Sequence, residues 1–174
     1  MPLPKLTLVL GGAASGKSTF AETLVLQGGR DPVYIATAQV FDDEMAEKIQ
    51  LHRETRGAGW ITIEEPLNVS GALAQVGSTQ PVLIDCATLW LTNLILGEHN
   101  VAVHTDRLIT ALAACNGPVV IVSNEVGQGI VPDNALSRKF RNAQGRLNQQ
   151  LAAEADLVVA VMAGLPLTLK GDMP

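Results

Sequence analysis

The stretch that decides the fold is Leu6-Thr7-Leu8-Val9-Leu10-Gly11-Gly12-Ala13-Ala14-Ser15-Gly16-Lys17-Ser18. Its first five residues form the apolar run of a buried strand, and the residues that follow it have a helical pattern. The octet from Gly11 to Ser18 has the spacing Gly-x4-Gly-Lys-Ser of a phosphate-binding loop. In such a loop the backbone N–H groups point at phosphate oxygens, Lys17 reaches the β- and γ-phosphates, and Ser18 offers its hydroxyl to Mg²⁺. A chance glycine-rich turn would not explain the flanking strand and helix, so the stretch predicts a nucleoside triphosphate site.

Further apolar runs follow along the chain, rich in β-branched residues and without polar alternation. They span 33–36, 82–84, 119–122 and 157–161. Such runs are typical of a parallel sheet covered on both faces, and helical patterns separate them. The sequence therefore predicts a doubly wound α/β fold in a single domain over residues 1–174. After a turn at Leu165-Pro166, residues 167–170 are expected to form a terminal edge strand.

Several helix boundaries are also predicted. The acidic residues 42–44 favour the start of a helix through Met45 and Ile49. Thr105 is predicted to be the N-cap of a helix that carries Leu108 and Leu112, with the polar stretch 97–104 before it forming a loop that exposes its histidines. A helix from Ala135 to Leu151 is expected to turn Arg138 and Arg141 to solvent.

Composition narrows the function classes. The net charge of -5 argues against a nucleic-acid partner, which would require clustered Lys and Arg. No stretch approaches the roughly 20 apolar residues of a membrane span, and the first apolar run is too short for a signal peptide. Cys86 and Cys115 match no metal-binding spacing and are interpreted as buried thiols. A cytoplasmic location is expected.

Asp85 follows an apolar strand, where a phosphate-loop protein usually places an acidic residue. It has two interpretations: it holds a magnesium-bound water, or it caps the helix that starts at Ala87. Asn124 and Glu125 also end an apolar strand, the position where open α/β sheets bind ligands.

His52 falls on the same predicted helical face as Met45 and Ile49. A lone histidine in that place is usually a partly buried packing residue. However, Arg53 and Arg56 put two cations beside it, which would attract a phosphate chain and keep the imidazole neutral, as a nucleophile requires.

Several motifs follow one another along nearly the whole chain. They are Gly11 to Ser18, Tyr34 to Ala38, His52-Arg53-x-x-Arg56, Trp60-x-Thr62-x-Glu64, Asp85-Cys86, Thr88-Leu89-Trp90-x-x-Asn93, Ser123 to Pro132, Arg141-x-x-x-Gly145-Arg146-Leu147-Asn148-Gln149, Gly164 to Pro166, and Lys170. Together they resemble the bifunctional adenosylcobinamide kinase/adenosylcobinamide-phosphate guanylyltransferase family of cobalamin biosynthesis. The phosphate loop alone is unspecific, whereas the histidine segment and the Asn124 to Pro132 string are distinctive.

The resemblance implies a P-loop NTPase fold of the RecA-like type, a homotrimer, and two reactions that use Mg²⁺ with ATP or GTP. In the first, adenosylcobinamide is phosphorylated. In the second, GMP passes from GTP through a guanylylated histidine to adenosylcobinamide phosphate. By position His52 matches that histidine, and Lys17 assists both transfers. Glu125 would either activate the substrate hydroxyl or orient a loop.

The resemblance also implies which residues line the nucleotide, besides the phosphate loop. They are Ala36, Thr37, Ala38, Arg53, Glu54, Thr55, Arg56, Glu64 and Asp85. From the residues alone, Glu64 is equally well an exposed carboxylate at a strand end. One departure is Ala14, because the family commonly has arginine at that loop position; altered affinity or altered subunit contacts are expected.

Two other functions remain open from the sequence. A single-activity small-molecule kinase would use the phosphate loop and leave His52 without a covalent role. A nucleotide-dependent regulator would use the loop as a switch, but it offers no reason for a histidine flanked by cations.

Overall fold

The structure is a computed structural model that describes residues 2–39, 46–47, 50 and 59–174. The predicted helix start at 42–44 and the segment from His52 to Arg56 lie outside the described residues.

A seven-stranded sheet forms the centre of the described chain, in the order β3-β2-β4-β5-β1-β6-β7. The strands are β1 (Leu6–Gly11), β2 (Val33–Ala36), β3 (Ile61–Glu64), β4 (Val82–Asp85), β5 (Val119–Asn124), β6 (Leu157–Met162) and β7 (Leu165–Lys170). All neighbouring pairs are parallel except β6 with β7, which is antiparallel. The carboxyl ends of β1 to β6 therefore meet at one edge, which is where the candidate residues collect.

Helices cover both faces of the sheet. They are α1 (Lys17–Gln27), α2 (Val69–Leu73), α3 (Ala87–Leu96), α4 (Val101–Ala114) and α5 (Ala135–Glu154), numbered over the described residues. Buried residues of α1 pack with one face of the sheet, and those of α2 to α5 pack with the other. The predicted doubly wound α/β fold of the P-loop type is confirmed.

The interior strands have the burial that their composition predicts. Leu8 and Val9 are consecutive in β1 and both are fully buried, although their side chains point to opposite faces. Ile121 and Val122 repeat this in β5. The absence of polar alternation in these runs thus reflects two covered faces.

The predicted start of α4 was wrong. The helix begins at Val101, and its N-cap is Asn100, whose side-chain oxygen accepts a hydrogen bond from the Val103 N–H at 3.2 Å. Thr105 is 2% exposed inside the helix, on the same face as Leu108. Asparagine caps a helix at least as well as threonine, so the helix starts one turn earlier than the Thr105 signal suggested. His104 is accordingly a helical residue and packs its ring against that of His99.

The terminal strand also begins earlier than predicted. The reversal lies at Ala163 and Gly164, whose φ values of 52° and 76° are left-handed, and β7 starts at Leu165. Pro166 is tolerated within β7 because this is the edge strand of the sheet.

Candidate nucleotide-binding site

The phosphate loop connects the end of β1 to the start of α1. Gly16 is the N-cap of α1 with a left-handed φ of 90°, which glycine adopts without a steric cost. A Cβ on Gly11 would collide with Ser15 Oγ and would lie 2.7 Å from the carbonyl oxygen of Val161. The Gly164 N–H donates a hydrogen bond to the Ser15 carbonyl at 2.8 Å. The turn between β6 and β7 therefore supports the loop and requires glycine at these places.

Lys17 is buried, at 9% exposure, and its ammonium donates a hydrogen bond to the Gly12 carbonyl at 2.9 Å. The lysine thus bridges its own loop, so its charge is already positioned where a phosphate chain would arrive. Ser18, the next residue, lies partly buried in the first turn of α1. Ala14 is exposed and has a left-handed φ of 53°.

Three of the predicted residues lie in a row at the carboxyl edge of the sheet. Ala36 is in register with Glu64 on one side and with Asp85 on the other. All three belong to the face covered by α1, because Tyr34 and Leu83, two residues before Ala36 and Asp85 in their strands, pack in the same core cluster as α1. The sheet therefore brings Ala36, Glu64 and Asp85 to the side on which the phosphate loop opens.

Asp85 does not cap the following helix. The N-cap of α3 is Cys86, whose sulfur accepts a hydrogen bond from the Leu89 N–H at 3.4 Å. The Asp85 carboxylate instead accepts a hydrogen bond through Oδ2 from the Tyr34 hydroxyl at 3.1 Å. The capping interpretation was wrong, and a carboxylate oriented by Tyr34 is left facing the α1 side.

Cys86 and Cys115 are free and buried, as predicted. Burial and, to a smaller extent, the neighbouring Asp85 charge raise the pKa of the Cys86 thiol to about 12. Because the thiolate is the reactive form, Cys86 is not a nucleophile here despite its place beside the site.

Thr37 ties the ends of β2 and β4 together. Its side chain is fully buried, and its hydroxyl donates to the Cys86 carbonyl at 2.7 Å while accepting from the Cys86 N–H at 2.8 Å. Ala38, the next residue, is partly buried. The Thr37 side chain thus fixes the position of the strand end.

Polar residues on α3 hold the neighbouring loops, a role that sequence reasoning missed. The Asn93 amide donates to the carbonyls of Thr37 at 2.8 Å and Pro66 at 3.0 Å, and the Trp90 indole donates to Leu67 at 2.9 Å. The helix therefore lies across the carboxyl ends of β2 and β3. The available indication in the sequence was an asparagine and a tryptophan within a mostly apolar helix.

A second polar network joins α5 to the end of β5. The Ser123 hydroxyl donates to Asn148 Oδ1 at 2.6 Å, and the Gln144 amide donates to both Ser123 and Asn148 at 2.9 Å. All three side chains are buried. These three bonds tie α5 to the end of β5 and position it, while Gln144 Oε1 is buried without a partner among the described residues.

The loop after β5 is held by two arginines of α5. The Arg138 guanidinium donates to the carbonyls of Pro132 and Asp133, at 2.9 and 2.7 Å, and Arg141 donates to the Gly127 carbonyl at 2.9 Å. Arg138 is exposed, as predicted, although it also binds the loop, whereas Arg141 is only partly exposed because the chain folds back over the start of α5.

Glu125 joins this loop to the phosphate loop. Its N–H donates to the Gly11 carbonyl at 3.0 Å, and its carboxylate accepts a hydrogen bond from the Gly127 N–H. These contacts favour the loop-orienting interpretation of Glu125 over general-base catalysis.

Within the described part of the chain, no group of three His, Cys, Asp or Glu residues could hold a metal ion. A closed protein-only site, such as that of structural zinc, is therefore not present among these residues. One carboxylate beside a phosphate loop suits Mg²⁺, which usually keeps several waters and shares its remaining ligands with substrate phosphates. Among the same residues, no helix is long and apolar enough to cross a membrane.

The strand, phosphate loop, helix and strand-end aspartate together define a P-loop nucleoside-triphosphate-binding protein. Solved structures agree with this fold. The flagellar accessory protein FlaH from Methanocaldococcus jannaschii aligns with a TM-score of 0.53 at 13% identity, covering 99% of this chain and 81% of FlaH. A second solved structure, an ATPase domain, aligns with a TM-score of 0.52 at 14% identity, covering 90% of this chain and 69% of that domain.

Sequence relatives identify the family. A profile of the family described as cobinamide kinase / cobinamide phosphate guanyltransferase matches residues 7–169. The bifunctional adenosylcobalamin biosynthesis protein CobP of Pseudomonas aeruginosa is 43% identical, over 95% of this chain and 97% of its own length. CobU of Salmonella typhimurium, a protein with the same description, is 42% identical over 94% of this chain and 98% of its own length. The chain belongs to the cobinamide kinase / cobinamide phosphate guanyltransferase family.

Proposed function

We propose that this chain phosphorylates adenosylcobinamide with a nucleoside triphosphate and then transfers GMP from GTP to the product, giving adenosylcobinamide-GDP. The observation that carries the proposal is the phosphate loop, with Lys17 bound to its own loop, on the same face of the sheet as the strand ends at Asp85 and Glu64. The chain also belongs to this family. The curated relatives are bifunctional in name, and this chain matches nearly their whole length.

In the kinase step, the alcohol oxygen of the aminopropanol arm attacks the γ-phosphorus. The bond from that phosphorus to the bridging oxygen breaks, the nucleoside diphosphate leaves, and the alcohol proton passes to solvent. The chain contributes position and charge, because phosphoryl transfer needs little covalent chemistry from the protein. The loop N–H groups hold the phosphates, and Lys17 offsets the charge that develops on the leaving oxygen.

In the guanylyltransfer step, a ring nitrogen of neutral His52 attacks the α-phosphorus of GTP, and pyrophosphate leaves. The resulting P–N bond preserves the transfer potential of GTP. A phosphate oxygen of adenosylcobinamide phosphate then attacks the same phosphorus, the P–N bond breaks, and His52 is regenerated. Arg53 and Arg56 would attract the phosphates during this exchange.

Ser18 and Asp85 are the residues that would hold Mg²⁺. They fit the ion because both offer oxygen, and the Asp85 carboxylate is oriented by Tyr34 instead of being used to cap α3. When bound, the ion offsets negative charge on the triphosphate during transfer.

The remaining nucleotide contacts are proposed at the carboxyl edge. Ala36 and Ala38 would pack against the nucleoside, with Thr37 fixing their backbone through Cys86. Glu64 is exposed at the end of β3, where its carboxylate would accept hydrogen bonds from the guanine or the ribose. Arg53, Glu54, Thr55 and Arg56 would complete the nucleotide site.

Radiolabelling separates this function from a single-activity kinase and from a regulator. The protein is incubated with α-³²P-GTP and Mg²⁺, denatured, and tested for bound label that is labile in acid and stable in alkali. The wild type and His99→Ala, a matched control at an exposed histidine, are expected to be labelled, and His52→Ala is not. An unlabelled wild type, or undiminished label on His52→Ala, would refute the histidine route.

Phosphorylation of adenosylcobinamide with γ-³²P-ATP is assayed in parallel. If this phosphorylation occurs without guanylylation of the protein, the chain is a single-activity kinase.

We also propose that the chain assembles as a homotrimer. Support comes from β7, whose six residues are all exposed. Leu165, Leu167 and Leu169 alternate along this strand and are 71%, 59% and 58% exposed. A row of leucines on an edge strand is typical of a surface that a partner covers.

A further inference from the structure

Asn124 lies beside the phosphate loop, at the carboxyl edge of the sheet. It is the last residue of β5, the strand between β1 and β4. In the ladder it is in register with Gly11, the first glycine of the phosphate loop. Asp85 is in register with Val122, two residues earlier on the same face of β5.

The direction of the Asn124 side chain follows from its neighbour. The Ser123 hydroxyl hydrogen-bonds to Gln144 and Asn148, so Ser123 points to the face covered by α5. Successive side chains of a strand point to opposite faces, which turns Asn124 to the face of α1. Lys17 and Asp85 lie on that face too, so the Asn124 amide belongs to the same space as the candidate triphosphate and magnesium groups.

The backbone of Asn124 is fixed on both sides. Its N–H donates to the Thr88 hydroxyl at 2.8 Å, and its carbonyl accepts from the Asn148 amide at 3.0 Å. By contrast, its side-chain Oδ1 is buried and accepts no hydrogen bond from the described residues. Among the described residues, Thr7, Ser15 and Gln144 also have a buried side-chain oxygen without a partner, so Asn124 is distinguished by its place beside Gly11 and by the two contacts that fix its backbone.

We propose that the Asn124 carboxamide contacts the terminal phosphoryl group during the kinase step. Its Nδ2 donates a hydrogen bond to a γ-phosphoryl oxygen. Thr88 and Asn148 are the positioning residues, since they hold the Asn124 backbone but do not face the nucleotide. This inference rests on the proposed kinase function and adds to it the residue that recognises the reacting group.

The test compares Asn124→Ala and Asn124→Asp with the wild type. One transition-state hydrogen-bond donor is typically worth about 10²–10³ in kcat, so the alanine variant is expected to lose that factor in adenosylcobinamide phosphorylation. In calorimetric titration its affinity for GTP should fall about tenfold while its affinity for GDP stays within about twofold, because only the γ-phosphate contact is lost. The aspartate, of nearly the same shape, should weaken GTP binding further through charge repulsion.

Two further variants separate this role from a structural one. Asn148→Ala removes the backbone support and should lower Tm and weaken GTP and GDP equally, whereas Asn124→Ala should leave the Tm of the unliganded protein unchanged or raised. Asn142→Ala, at an exposed position of α5, is the neutral control. If Asn124→Ala keeps wild-type kcat, or weakens GTP and GDP alike, the inference is wrong. An inactive wild type would instead refute the proposed function.

Discussion

At the scale of single residues, the glycines of the phosphate loop are not equivalent. Gly16 needs its left-handed φ of 90°, and Gly11 is surrounded by the Ser15 side chain and the Val161 carbonyl. Around Gly12 there is no heavy atom of the described residues within 4 Å of where a Cβ would stand. The motif spacing marks Gly11 and Gly16 and leaves Gly12 at one of its four variable positions, and the packing shows that the fold itself requires Gly11.

Gly11→Ala is therefore expected to destabilise the unliganded protein, and Gly12→Ala is its matched control. Overpacking costs about 1–3 kcal/mol, which for a chain of this size corresponds to about 2–12 °C in Tm. Gly12→Ala should change the free energy of unfolding by no more than about 0.5 kcal/mol. Differential scanning calorimetry without nucleotide measures both, and equal Tm values for the two variants would contradict the packing argument.

At the scale of elements, α3 is the part that aligns the strand ends. Its N-cap is Cys86, its Trp90 and Asn93 bind the segment that follows β3, and Asn93 also binds the end of β2. These contacts explain why a mostly apolar helix carries the polar residues of the family motif. They would act on the proposed nucleotide site by fixing the strand ends at Ala36 and Glu64.

Asn93→Ala should therefore affect both stability and nucleotide binding. Two carbonyls, of Thr37 and Pro66, would lose their donor, and we expect a loss of about 2–3 kcal/mol in the free energy of unfolding. Urea denaturation measures this loss, with Gln150→Ala at an exposed position of α5 as the control. A several-fold rise in KM for GTP should accompany it. A fully stable Asn93→Ala protein would show that these two bonds do not hold the strand ends.

Because the Cys86 thiol is buried, the free energy of unfolding is expected to fall at alkaline pH. Burial raises the pKa of this thiol from 9.0 to about 12, so between these values the unfolded chain releases a proton that the folded chain keeps. Stability from this group is present below pH 9 and is lost as pH rises toward 12, by up to about 1.4 kcal/mol per pH unit. Denaturation of wild type and Cys86→Ser between about pH 8 and about 10.5 tests the slope, because serine does not titrate there. If the free energy of unfolding changes with pH equally in both proteins, folding does not raise the pKa of the Cys86 thiol.

At the scale of the whole molecule, the sheet of the described chain is covered on its two faces and open along the edge formed by β7. Its interior strands are buried on both faces, while the β7 edge exposes leucines beside the turn that supports the phosphate loop. Association through this edge would therefore bring a neighbouring chain close to the nucleotide site.

Leu167→Lys is expected to shift the protein from trimer to monomer, because a charge in the covered leucine row would be buried without a partner. Thr168→Lys, on the opposite face of β7, should leave the assembly unchanged and serves as the control. Light scattering coupled to size-exclusion chromatography measures the mass. A trimeric Leu167→Lys protein would place the subunit contact elsewhere, and a monomeric wild type would refute the trimer itself.

The sequence by itself determined what is encoded by contiguous residues. A β-branched run followed by Gly-x4-Gly-Lys-Ser and a helical pattern is enough to specify a strand, a phosphate loop and a helix, since the motif is contiguous in the sequence. The unbroken apolar runs likewise specified a parallel sheet covered on both faces. Where two local signals competed, as with Asn100 and Thr105 at the start of α4, the sequence did not settle the boundary.

Only the tertiary structure decided which distant residues share the site. The strand order places Glu64, Ala36 and Asp85 in one row and sets Asn124 beside Gly11, and no spacing along the chain contains that information. The bonds that fix the row join residues far apart, as Thr37 does with Cys86 across 49 positions. Such contacts depend on the pairing of whole strands, which is a property of the packed core and not of any local pattern.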